Sequence, residues 1–302
     1  MGIILGLLAG ITYGAADFIG GLATRRSTVF SVVVVSQVTG LLLLLMLLPI
    51  LPAAHPQRDD IVWGLLSGCA GALGISLLYR GLAIGRMSLV SPITAVIAAI
   101  IPFVTGLLLR ERPSSFAIAG VGIALLAVVF VSSTDMPGEP ASNAAPGLVG
   151  SPLVSKSPSA MRNWLLQPGL FEAVLSGIGI GLFYVFLAHT HAQAGMWPLA
   201  GARLSSASIL TAIALIARRS VLPNSGGWGP IAIAGVLDMF ANACYLLATR
   251  HGLLAIVAVL ASLYPASTVL LARIVLHEKL SALQLVGVAC ALVAIALIAV
   301  GS

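Results

Sequence analysis

Asp17 and Asp238 each interrupt an apolar run long enough to cross a bilayer. An ionised side chain there costs about 2.5–3.5 kcal/mol on insertion scales, so such groups face a cavity or a partner. Low dielectric disfavours the charged form of any carboxyl, and a buried one can exchange protons near neutral pH. Asn242, Tyr245 and Thr249 follow Asp238 at i+4, i+7 and i+11, so the four share one helical face and read as a polar stripe lining a cavity. Tyr13 lies four residues before Asp17, with Gly10 and Gly14 close by on that face. The chemistry these types support is proton coupling or capture of a substrate ammonium. The plainer alternative is a structural hydrogen bond to a neighbouring helix or loop.

Proline is the second signal. Pro92, Pro102 and Pro265 fall in the fourth apolar run of each half of the chain. Each removes a helical hydrogen bond and frees a carbonyl, and broken helices at corresponding positions point to a central site. Tyr264, Ser267 and Thr268 flank Pro265, where they can satisfy the freed groups or touch substrate; a packing kink is the alternative. Arg203 and Arg273 sit about a turn or more inside their runs; snorkelling to headgroups is the expected role, and binding of a substrate carboxylate is the alternative. Gln37 reads as a cross-helix hydrogen bond, and Glu172 as interfacial. Glu111 and Glu278 mark turns and are expected to cap the helices that follow them. His189 and His191 are two apart, a spacing that does not share a helical face, so no metal site is expected. Cys69, Cys244 and Cys290 lie in apolar runs and read as small buried hydrophobes.

The elements carrying these residues follow from composition. Of 302 residues 59% are hydrophobic and 8% charged, against about 25% charged in soluble domains. Ten apolar runs are expected to span a membrane as helices, because backbone groups in lipid must be satisfied internally. They lie near 2–23, 28–51, 61–82, 87–109, 114–133, 168–188, 197–217, 228–249, 253–276 and 281–300. The first begins without a basic leader and reads as a retained helix. The formal net charge of +6 sits in short loops and fits lipid headgroups, with no basic stripe for nucleic acid.

The second half repeats the first. Gly10, Gly14, Gly68, Val90, Glu111 and Gly120 recur as Gly177, Gly181, Gly235, Val257, Glu278 and Gly287, each 167 positions on. The division is 1–133 and 164–302, joined by a linker at 134–163 rich in Pro, Ser and Gly. Five spans per repeat is odd, so the copies must be inverted, an architecture of secondary transporters. The repeats are chemically unequal: position 17 maps to Tyr184 and position 238 to Gly71. With the N-terminus outside, the cytoplasmic loops collect most of the Arg and Lys.

The stretch from Leu246 to Leu297, with Tyr264-Pro265, the His277-Glu278-Lys279 turn and Gly287, closely resembles the EamA-type branch of the drug/metabolite transporter superfamily. Residues 85–131, with Glu111 and Gly120, repeat that pattern, and "GLLAGITYGAADFIGG" resembles the family's first helix. The resemblance covers the chain outside the linker. It implies ten helices in two inverted five-helix repeats, alternating access, and both termini in the cytoplasm, against the charge count. The small multidrug-resistance branch uses a first-helix carboxylate, which favours Asp17. One departure stands out: Pro265 lies 13 residues before Glu278, whereas Pro102 lies 9 before Glu111.

Together these features predict an all-α polytopic membrane protein of the plasma membrane, a monomer or homodimer. It would export small metabolites such as amino acids, with protons as a candidate coupling ion. A channel-like permease and a carrier of small amphipathic drugs or sugars are the alternatives. No Walker A motif, cofactor fingerprint or catalytic cluster is present, so neither an ATP-driven pump, a cofactor nor an enzyme is expected.

Overall fold

The computed structural model describes residues 1–24, 27–52, 54–84, 87–132, 169–223, 227–277 and 281–301. The linker and Glu278 lie outside them. The first repeat contributes α1 (Gly2–Thr24), α2 (Val29–Leu47), α3 (Arg58–Ile84), α4 (Met87–Leu108) and α5 (Ser115–Ser132). The second contributes α6 (Leu170–Ala188), a short 3₁₀ turn (Ala192–Ala194), α7 (Trp197–Ile216), α8 (Trp228–His251), α9 (Leu254–Ala261), α10 (Tyr264–Leu276) and α11 (Ala282–Val300). Residues 254–275 make one span from α9 and α10; among the described residues eight helical segments are long and apolar enough to cross a membrane, and the shorter apolar stretches of α4 and α5 complete the ten helices. The protein is an all-α polytopic membrane protein with two inverted five-helix repeats.

The repeats interleave rather than sit side by side. α1 packs along α8, and its counterpart α6 packs along α3; α5 and α11 pack on each other. Without a hydrophobic drive between helices in lipid, small residues that permit close approach hold such a bundle together. Gly10 and Gly14 of α1 press on the ninth span: added Cβ atoms would fall 2.7 Å from Leu260 O and 2.6 Å from Tyr264 O. Their counterparts Gly177 and Gly181 meet Ile97 and Ile101 of α4 in the same way. Leucines and isoleucines on the outward faces, among them Ile4 and Ile11 of α1 and Leu285 and Leu292 of α11, are left to lipid.

Two expectations need correction here. α4 runs unbroken from Met87 to Leu108, through both Pro92 and Pro102. A proline deletes one hydrogen bond, but its φ suits a helix, and packed neighbours allow the chain to continue. The break belongs to the second repeat alone. There α9 ends at Ala261, and α10 starts at Tyr264 with Pro265 in its first turn. Ala261 is the i−4 residue whose carbonyl the Pro265 ring would strike. Second, Glu111 does not cap the helix that follows it. Its carboxylate accepts from Leu254 N at 2.7 Å and Ala255 N at 2.9 Å, capping α9 in the opposite repeat. Ser114 serves α5 instead, accepting from Ala117 N. Ser267 and Thr268 take the packing alternative and clamp helices together. Their hydroxyls bond Tyr264 O within α10 and reach Gly10 O and Gly14 O of α1.

Candidate functional site

A cavity of about 160 Å³ lies at mid-depth, walled by α1, α2, α3, α6, α7, α8 and the start of α10. It sits on the relation between the repeats. Asp17 and Tyr184, Tyr13 and Ile180, Asp238 and Gly71, Asn242 and Ile75 are pairs 167 positions apart, and all eight line it. The duplication thus supplies the walls twice, and the polar groups differ between the copies.

One chain of polar contacts crosses the site. Tyr13 Oη donates to Asn242 Oδ1 at 2.9 Å. Asn242 Nδ2 donates to the Asp238 carbonyl at 2.7 Å, and Asp238 Oδ2 lies 2.5 Å from Arg203 Nη2. Arg203 Nη1 in turn donates to Gln37 Oε1. Four helices, two from each repeat, are joined by it. The i+4 spacing of Asp238 and Asn242 presents both side chains on one side of α8, as their periodicity requires.

The aromatic wall is built on Tyr184. Its ring stacks edge-on with Tyr13 at 6.3 Å and tilted against Tyr245 at 4.5 Å. Tyr264 and Phe183 complete that side. Asp17 faces the cavity from α1 with its side chain accessible there. No hydrogen bond or ion pair to Asp17 is found among the described residues.

Of the residues singled out in sequence, Asp17, Tyr13, Asp238, Asn242 and Tyr264 meet at the cavity. Tyr245 does not. It is fully buried behind the wall, where its hydroxyl donates to Tyr184 O at 3.2 Å. Arg203 is the main revision: it is 5% exposed and paired inside the bundle rather than snorkelling. Tyr184 and Phe183 were not singled out at all, although the repeat offset placed Tyr184 opposite Asp17. Arg273 is exposed, and Glu172 meets the exposed Arg80 at 3.4 Å.

A second polar set joins the two repeats at the face bearing both chain termini. Asp60 is fully buried at the start of α3, and its carboxylate accepts from His191 N at 2.7 Å and Gln57 N at 2.9 Å. His191 Nδ1 lies 3.0 Å from the same carboxylate. His55 N donates to Gln193 O, and Arg250 Nη2 to Gly195 O at 2.6 Å. His189 bonds Val185 O and packs on Trp63.

Residues 1–133 and 167–300 each match the EamA-like transporter family. The chain belongs to that family. EamA-like proteins are membrane transporters, in contact with the bilayer and a small-molecule substrate. An uncharacterized protein of Methanocaldococcus jannaschii is 26% identical over 130 residues, 43% of this chain but 95% of its own length. That relative is thus about as long as one EamA-like repeat. A solved crystal structure, 15% identical, covers 100% of this chain and 99% of its own at a TM-score of 0.77. At that identity it speaks for the fold alone.

Proposed function

We propose that this transporter is a secondary exporter of small polar metabolites bearing an amino group, amino acids being the class to test first. The carrying observation is the contact chain Tyr13–Asn242–Asp238–Arg203–Gln37, which ties both repeats together across a mid-depth cavity. A substrate entering there competes with contacts that hold the two halves, so binding and rocking of the repeats are coupled. Asp17 and Asp238 are the candidate sites of proton exchange. The protein sits in the plasma membrane with both termini cytoplasmic, and the interlocked terminal face is then the closed cytoplasmic gate. Discontinuity of the ninth span at Ala261–Tyr264 supports the reading, because unwound backbone beside a cavity is how carriers expose carbonyls.

The test is reconstitution in liposomes with an internal pH dye, with amino acids, amines and sugars presented under an imposed proton gradient. Substrate-dependent pH change that disappears in Asp17→Asn or Asp238→Asn is expected. Full proton-coupled flux in both variants sinks the coupling assignment. Flux that only equilibrates substrate, never accumulating it, would make the protein a facilitative permease.

A further inference from the structure

We infer that the cavity selects a substrate carrying one net positive charge, a small primary amine without a free carboxylate, and that Asp17 is its counter-ion. The inference narrows the amino-bearing class proposed above to amines that lack the amino acid carboxylate; it rests on the transporter reading for the direction of use, not for the site.

The argument is one of charge and occupancy. The cavity holds two carboxylates and one guanidinium. Arg203 spends one terminal nitrogen on Asp238 and the other on Gln37. A zwitterion's carboxylate would add a third anion to a space whose one guanidinium already faces Asp238, so two carboxylates would share a single cation in low dielectric. Asp17 has no partner among the described residues, so one negative charge on the cavity wall is uncompensated. The favourable guest supplies that charge and brings no anion of its own.

The surroundings of Asp17 suit such a guest. Tyr13, Tyr184, Tyr264 and Phe183 line the same space, and aromatic faces attract ammonium groups. The volume of about 160 Å³ is close to the ~150 Å³ that holds benzene, so a guest of benzene's size or a little larger fits.

Isopentylamine, isopentanol and leucine make the comparison: the alcohol lacks the charge, and leucine is the amine with a carboxylate added. Binding of each radiolabelled compound to the purified full-length protein is measured for the wild type, Asp17→Asn and Asp17→Glu. Isopentylamine is expected to bind at least about tenfold more tightly than leucine or isopentanol. Asp17→Asn should abolish that preference and Asp17→Glu restore it. Leucine binding as tightly as the amine in the wild type overturns the inference, whether or not the variants fold. So does undiminished amine binding by a monodisperse Asp17→Asn protein. Amine binding without gradient-driven uptake in proteoliposomes would sink the transporter reading and keep the site. Leucine-driven proton flux without amine binding would do the reverse.

Discussion

Arg203 and Asp238 neutralise each other between α7 and α8, so each side chain is the condition for keeping the other in the membrane interior. Breaking a fully buried pair costs about 3–5 kcal/mol because a lone charge remains. Asp238 keeps 34% side-chain exposure to the cavity, so Arg203→Met should cost less, about 2–3 kcal/mol. Arg203→Met with Asp238→Leu should recover most of that in a thermal-unfolding assay while substrate flux stays lost. Recovery of flux along with stability would make the pair purely structural. Tyr245→Phe belongs to the same scale but the opposite class. Losing its bond to Tyr184 O should lower stability by about 1 kcal/mol and leave substrate affinity within a factor of a few, read by equilibrium binding. The carboxylates were legible because a charge in an apolar run is conspicuous on its own. Arg203 was misread because a charge near a helix end has two resting places. Its partner, on the next helix, can be seen only once α7 and α8 are packed. Tyr184 was hidden for another reason: a tyrosine in a span carries no cost that marks it out.

At the scale of the element, a helix here is positioned by what its glycines allow. Gly14 packs its α-carbon against Tyr264 O and Ser267 of α10, whereas Gly122 of α5 has open space around the same position. Gly14→Ala should therefore force α1 from the ninth span and lower thermal stability by about 1–3 kcal/mol. Gly122→Ala should be neutral or gain up to about 1 kcal/mol from helix propensity. Equal effects in a thermal-shift assay would refute the packing argument. Glu111 tests a contact between elements of opposite repeats. Glu111→Gln keeps one hydrogen bond to the start of α9 but loses the charge that favours a helix N-terminus, a loss of about 0.3–1 kcal/mol; Glu111→Ala should lose more. The spans were legible because backbone in lipid has only one way to satisfy itself, and hydrophobicity reports it directly. The partner of Glu111 was not, because nothing local distinguishes the next helix from one that the fold brings alongside. Pro265 and Pro102 look alike in sequence. Only the first coincides with a place where α1 packs closely on the interrupted backbone, Gly10 lying against Leu260 O and Ala261 O.

For the whole molecule, the alternating access proposed above requires a gate at each face of the inverted duplication, and the terminal face is the one where named contacts join the two repeats. Asp60 is its centre: a fully buried carboxylate of the first repeat that takes the His191 backbone N–H of the second. Asp60→Ala strands that N–H and the Gln57 N–H, a penalty of about 1–3 kcal/mol each if both stay buried. The cheaper outcome is for the face to part and let water reach them, which shifts the population toward the state open on that side. Leu199 reports it well, since it lines the cavity from the terminal-face end of α7 and is 1% exposed. With Cys69, Cys244 and Cys290 replaced by serine, a Leu199→Cys probe should react slowly with a membrane-impermeant thiol reagent added from the terminal face. Adding Asp60→Ala should speed that reaction about tenfold, the factor that 1.4 kcal/mol of relieved closure gives. Reagent added from the linker face should then react more slowly than before, because opening one side at the expense of the other is what alternating access requires. A rise from both faces together would mean that the bundle has loosened, and an unchanged rate would remove Asp60 from the gate.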